Sequence, residues 1–272
     1  MCTRDEVWTF SDPVLFPSVP IAYVITMEGS QRYDKLVREL RTYRPTRKVV
    51  IVHHKSFSDC ARPQGVNTPS QDLWRNNLMI AKRDPNSPVL ILEDDVHFLP
   101  AVRDYAEHID QTIANDRCEI YTLGVQPIMS FPSSNEDMTI LLGAQAQAVL
   151  FSTRARQRLI RNYGEDLSYK ASLSAVVNTL GLPWLHDAEI FYMFHTLAPK
   201  KPCAVQSHPL TENQKEWANI FTHVVLDLSG ARDDGTTLYE IGHVLGFYFC
   251  GIISFSVSLA FLFTFVIKYA RK

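Results

Sequence analysis

The sequence predicts an α/β fold: a mostly parallel sheet covered by helices, followed by one C-terminal transmembrane helix. Three observations carry that expectation. Short β-rich apolar runs alternate with helical stripes through the first half of the chain. The third of these runs, Val89–Leu92, ends in three consecutive carboxylates, Glu93, Asp94 and Asp95. Near the C-terminus, Val244–Ile267 carries no charge, and Lys268, Arg271 and Lys272 follow it.

Taken in order, Ile21–Met27 reads as a first strand, and Arg32–Arg44 as a helix with Tyr33, Leu36, Val37 and Leu40 on one stripe. Lys48–His53 is a second strand and His54–Asn67 a loop. Thr68 then serves as N-cap, Pro69 as first helical residue and Gln71 as the far side of a capping box. Leu73, Trp74, Leu78 and Ala81 give that helix its buried face. Pro85–Pro88 breaks the chain before the third strand. Pro100 opens a further helix lined by Val102, Tyr105, Ala106, Ile109 and Ile113, and Glu119–Val125 is a fourth strand. Gln126–Asp137 reads as a polar loop long enough to suggest a role at a site. Thr139–Leu142 and Gln145–Phe151 follow as strands, Thr153–Asn162 and Leu167–Leu180 as helices, the last stopped by Gly181. The alternation predicts a mostly parallel sheet covered by helices. Residues 1–228 then form the main domain, 229–243 a stem, 244–267 the membrane span and 268–272 a basic tip.

The chain has 272 residues, 46% hydrophobic, 21% charged and with net charge −2, so no broad basic surface points to nucleic acid. The basic run Arg154–Arg161 reads as the solvated face of an amphipathic helix. The uncharged C-terminal run exceeds the roughly 20 residues that span a bilayer. Its basic tip favours a cytosolic C-terminus. The N-terminal residues show no basic region followed by an apolar core, and so no signal peptide. The second signal outweighs the first, because moving a folded domain across a membrane is the larger requirement. The expectation is a single-pass protein anchored by its C-terminus, with the 1–228 domain in the cytosol. Five widely spaced cysteines suggest no disulfide framework and lean the same way.

The acids carry the chemistry. Burying an unpaired carboxylate costs roughly several kcal/mol, so Glu93, Asp94 and Asp95 mark where the strand leaves the core. In open α/β sheets that is the ligand-binding edge. If the extended geometry persists, Glu93, Asp95 and His97 share one face and Asp94 points the other way. One or two carboxylates completed by substrate phosphates are the usual way to hold Mg²⁺ or Mn²⁺. His53 and His54, adjacent on a strand, point to opposite faces and cannot share one metal.

The segment VLILEDDVHF (Val89–Phe98) resembles the EDD version of the DxD motif of GT-A-fold glycosyltransferases, which have a Rossmann-like nucleotide-sugar fold. It is particularly similar to glycosyltransferase family 25, the lipooligosaccharide-type and collagen-type sugar transferases; sugar transferases of large algal viruses share the pattern. Ala22–Leu40, Gly143–Ile160, Leu182–Phe194 and Lys201–Leu210 resemble further pieces of that family in order, while Thr68–Lys82 lacks the family's cysteine and Ser-His pair. The resemblance implies a transferase moving a hexose from a nucleotide diphosphate sugar, a UDP-sugar, to a hydroxyl of a glycan, lipid or protein, with inversion; the C-terminal run adds the membrane anchor, which is not typical of the family's bacterial members. It implies Asp95 as ligand of Mn²⁺ or Mg²⁺, Asp94 on the ribose or donor sugar, Glu93 in support, and Arg32 on the nucleotide or its diphosphate. Asp187 or Glu189 is the candidate base, which must take the acceptor's proton as it attacks, and His208 a late metal ligand. Two other classes stay open: a metal-dependent phosphohydrolase drawing on His53, His54 and His97, and a tail-anchored adaptor on a degenerate transferase fold.

Overall fold

The computed structural model describes residues 2–61, 66, 69–134, 136–144, 147–162, 191 and 193–206. Its elements in chain order are β1 (Thr3–Thr9), β2 (Ile21–Met27), α1 (Tyr33–Tyr43), β3 (Lys48–His54), α2 (Pro69–Arg83), β4 (Val89–Glu93), β5 (Val96–Phe98), α3 (Ala101–Ala114), β6 (Ile120–Thr122), β7 (Gln126–Pro132), β8 (Asp137–Ala144), β9 (Ala148–Phe151), α4 (Thr153–Asn162), β10 (Thr196–Pro199) and β11 (Ala204–Gln206). Nine strands form one sheet in the order β1-β3-β2-β4-β9-β6-β10-β8-β7, and β5 pairs with β11 beside it.

This sheet is mixed, which overturns the expectation of a mostly parallel one. The pairs β3–β2, β2–β4 and β6–β10 are parallel. The pairs β1–β3, β4–β9, β9–β6, β10–β8 and β8–β7 are antiparallel. The reason is local to the middle of the sheet. The crossover through α3 carries the chain past one strand position, and β9 later fills that gap running the other way. Alternating strands and helices specify the direction each strand travels; they do not specify which strand lies next to it.

Helices cover both faces. Leu36 and Leu40 of α1 and Val102, Ile109 and Ile113 of α3 pack with Ala22, Val24, Ile51 and Leu92 on one side. Trp74, Leu78 and Ala81 of α2 and Leu159 of α4 pack with Ile25, Val50, Val52 and Ile91 on the other. Strands β2, β3 and β4 are apolar on both faces because both faces are covered.

The segment read as a polar loop, Gln126–Asp137, is instead an edge strand and hairpin. Pro127 and Pro132 sit in β7, at the sheet's edge, the position in a sheet where proline is tolerated. Asp137, 5% exposed, anchors the start of β8. Tyr121 Oη donates to it at 2.7 Å. His108 lies between Asp137 and Glu136, with a ring nitrogen 2.9 Å from each.

The basic helix α4 also differs from its expected role. Arg154 and Arg158 face Glu119, but Arg156 is fully buried. Its guanidinium donates to the carbonyls of Ile80 and Ala81, in the last turn of α2 where carbonyls lack helical partners, and to that of Ser87 in the loop beyond it. Burial lowers the Arg156 pKa. Replacing Arg156 with Met strands these carbonyls, and we expect a loss of about 2–3 kcal/mol in urea unfolding. Arg156→Lys should recover part of it.

Cys2 and Cys60 form a disulfide with their Cα atoms 5.9 Å apart, contrary to the sequence reading. It ties the start of β1 to the 3₁₀ turn at Phe57–Asp59 that follows β3. Disulfides persist in oxidising settings, so the cysteines no longer argue for a reducing compartment. Cys118 and Cys203 are buried free thiols, both pushed up by burial to about 12.

The expected transmembrane helix is not borne out. Among the described residues no helix is long and apolar enough to cross a membrane, and Val244–Ile267 lies outside them. Also outside them are Thr68 and the segments 167–180, 229–243 and 268–272.

Candidate functional site

Strands β3, β2 and β4 run in parallel and end side by side. In register, Thr26 of β2 lies beside His53 of β3, and Ile25 beside Glu93 of β4. Beyond Met27 the chain turns through Glu28–Gln31 into α1. Gly29 takes a φ of +74°, a left-handed conformation that costs glycine little. That turn brings Ser30 and Arg32 back over the end of β4.

There β4 stops at Glu93, and Asp94 and Asp95 form a turn before β5. The alternation expected through the triplet therefore fails. Asp94 and Asp95 do not diverge; both reach the same guanidinium. Arg32 Nη1 lies 2.8 Å from Asp94 Oδ1 and 3.2 Å from Asp95 Oδ2. The other oxygen of Asp94 accepts the hydroxyls of Thr26 at 2.7 Å and Ser30 at 2.8 Å. Ser30 Oγ also accepts the Arg32 backbone N–H at 3.3 Å. Both acids are buried, Asp94 to 8% exposure and Asp95 to 2%, while Arg32 is 19% exposed. A cation and two hydroxyls offset the cost of burying the two carboxylates this deep.

Glu93 stays with the strand. Its N–H donates to the Gln147 carbonyl at 2.9 Å, and its register partner Ile25 belongs to the face packed under α2 and α4. Gln147, just before β9, is 2% exposed, and its side-chain oxygen has no hydrogen-bond partner among the described residues. It lies against Gly124, where a Cβ would fall 2.7 Å from the Gln147 amide nitrogen and 1.8 Å from the Ala204 carbonyl. Only glycine lets β11 cross the end of β6 so closely.

The histidines do not join the acids. His97 Nδ1 is 2.9 Å from Glu39 of α1, whose second oxygen accepts the Phe98 N–H at 3.0 Å. His53 Nε2 is 2.9 Å from Glu6 of β1. Tyr33 and Trp8 also donate to Glu6. Burial raises the Glu6 carboxyl, but these hydrogen bonds and the nearby His53 outweigh it and leave its pKa below the usual value. The Tyr33 hydroxyl is raised by burial and by Glu6. This cluster locks β1 onto β3 and α1. Among the described residues no group of three or more His, Cys, Asp or Glu side chains is placed to hold a metal.

Of the residues expected at the site, Arg32, Asp94 and Asp95 come together and Glu93 adjoins them. Asp187, Glu189 and His208 lie outside the described residues. Thr26 and Ser30 were not anticipated. The available signal was a hydroxyl at the end of an otherwise apolar strand and a polar turn just after it.

No family model matches the chain, and no curated protein does. Among solved structures, the crystal structure of A197 from STIV is similar at a TM-score of 0.41 and 15% sequence identity, covering 71% of this chain and 87% of that one.

Proposed function

We propose that the protein is a metal-dependent glycosyltransferase that moves a hexose from a nucleotide diphosphate sugar, a UDP-sugar, to a hydroxyl of a glycan, lipid or protein. One observation carries the reading: oxygens of Asp94 and Asp95 converge on a single cationic atom at the carboxyl edge of three parallel strands. Residues at that edge meet ligands in α/β sheets. Two hard oxygen donors aimed at one point fit Mn²⁺ or Mg²⁺, which usually takes one or two carboxylates and completes its shell with phosphates and water.

In this reading Asp94 and Asp95 hold the metal, and Asp94 also faces the ribose or donor sugar. Thr26 and Ser30 orient Asp94 by occupying its second oxygen. Glu93 supports the nucleotide side of the site. Arg32 binds the diphosphate, with the N-terminus of α1 adding to the positive potential. Asp187 or Glu189 takes the acceptor proton as the hydroxyl attacks the sugar carbon with inversion, and His208 is a further metal ligand. When bound, the metal supplies charge neutralisation at the departing diphosphate.

The competing phosphohydrolase needs metal-binding histidines at neighbouring strand ends. His53 and His97 are each held by a glutamate instead, which favours the transferase. The deciding experiment is a panel of nucleotide sugars with Mn²⁺ and simple hydroxyl acceptors. Metal-dependent release of the nucleotide diphosphate with sugar transfer is the expected result. Phosphate release from simple esters without transfer would replace the reading by the hydrolase, and no metal-enhanced nucleotide binding at all would leave the adaptor.

A further inference from the structure

We propose that Arg32 is the resident counter-cation of the acidic pair: a divalent metal must displace it, and the incoming diphosphate then takes up the freed guanidinium. Metal and nucleotide would thus bind as a coupled pair rather than independently. The inference rests on the metal site proposed above.

Position is the first ground. Asp94 Oδ1 and Asp95 Oδ2 point at one nitrogen, at 2.8 and 3.2 Å. A metal bound through the same two oxygens needs the same space, so guanidinium and metal exclude each other. Exposure is the second ground. Asp95 is 2% exposed and Asp94 8%, whereas Arg32 is 19% exposed. The guanidinium is therefore the most solvent-exposed of the three groups, on the side from which an incoming ion would reach the acids.

Charge completes the argument. A divalent cation brings more positive charge to the two carboxylates than the single guanidinium it replaces, which favours the exchange. The displaced guanidinium is then left beside a second cation, a repulsive arrangement in a poorly hydrated site. A diphosphate relieves it, because arginine matches phosphate oxygens with paired N–H donors. The backbone of Arg32 is held by Ser30 at the start of α1, so the side chain can swing while its base stays fixed. A purely structural arginine would behave oppositely: its loss would loosen the acidic turn and weaken metal binding.

The test is Mn²⁺ binding to the full chain, followed by electron paramagnetic resonance of free Mn²⁺, with and without uridine diphosphate. Coupling between effectors is typically 5–150-fold, and we expect Arg32→Gln to tighten nucleotide-free Mn²⁺ binding by about 10-fold within that range. The factor by which uridine diphosphate tightens Mn²⁺ should fall correspondingly, and by reciprocity so should the effect of Mn²⁺ on the nucleotide. Direct chelation by the diphosphate persists in both proteins, so the difference between them isolates Arg32. Arg32→Lys keeps the charge and should give a smaller increase; it also serves if the glutamine variant does not fold. Variants at or below the parental Mn²⁺ affinity overturn the proposal. Asp95→Asn distinguishes the two layers. If it binds Mn²⁺ like the parent, the metal site itself is wrong and this inference falls with it. If it loses Mn²⁺ while the Arg32 variants match the parent, only the role of Arg32 is wrong.

Discussion

Replacing Asp95 with Asn is expected to lower sugar-nucleotide turnover by at least about 10³-fold while leaving the protein as stable as its parent, within about 1 kcal/mol. The two halves of this result have different causes. A metal that neutralises a leaving diphosphate contributes several kcal/mol to the barrier, and each 1.4 kcal/mol or so is a factor of ten in rate. If Asp95, 2% exposed, is a charged ligand of that metal as proposed, its neutralisation removes most of that. Stability responds to the charge balance instead. Asp94 and Asp95 share one guanidinium, so Asp94 keeps its ion pair with Arg32 when Asp95 is neutralised. Asp94→Ala should behave differently. Asp94 accepts Thr26, Ser30 and Arg32, and its loss strands two hydroxyls and costs about 2–4 kcal/mol as well as activity. Parallel rate measurements and chemical denaturation of the two variants check this. An Asp95→Asn protein with unchanged turnover would end its assignment as metal ligand.

The second large effect concerns the disulfide. Changing Cys2 and Cys60 to Ser is expected to lower the unfolding free energy by about 2–4 kcal/mol in denaturant. The bridge spans 58 residues of sequence, and closing a loop of that size in the unfolded chain removes a large share of its conformational freedom. It holds the start of β1, an edge strand that also pairs with β3 along its whole length. Glu6, pinned by Trp8, Tyr33 and His53, supplies the second attachment. The double variant should therefore lose protection first in β1, as hydrogen exchange would show, before the parallel strands beneath it open. A variant as stable as the parent, under conditions where the parent is oxidised, would show that the crosslink contributes nothing.

Some of the molecule was legible in advance. Strands β2, β3 and β4 and helices α1, α2, α3 and α4 follow from runs such as Ile21–Met27 and from stripes such as Leu36 and Leu40. Such elements bury a face that their own periodicity defines. Strand β1 was not legible, because Thr3–Thr9 is mostly polar and becomes a strand by pairing with β3. Strand β7 reads in the sequence as part of a polar, proline-containing loop, whereas the body of β8, Thr139–Leu142, reads as a strand; the edge position of β7 is what tolerates its two prolines. Arg156 looked solvated among other basic residues; nothing local says that α2 ends where its guanidinium lies.

The sequence by itself determined that an apolar strand ends in Glu93, Asp94 and Asp95 and that Arg32 follows the first strand, because charge cannot continue into a core and helical periodicity sets where α1 begins. Tertiary structure alone decided the rest. The turn at Asp94–Asp95 set aside the alternation that would have separated the two acids, the β2–β4 pairing brought Thr26 and Ser30 to Asp94, and the fold of α1 over that edge placed Arg32 between both carboxylates. The same holds for the sheet, whose mixed pairing arises where β9 enters between β4 and β6. Local patterns state what each segment must bury; only the packed chain states which segment it meets.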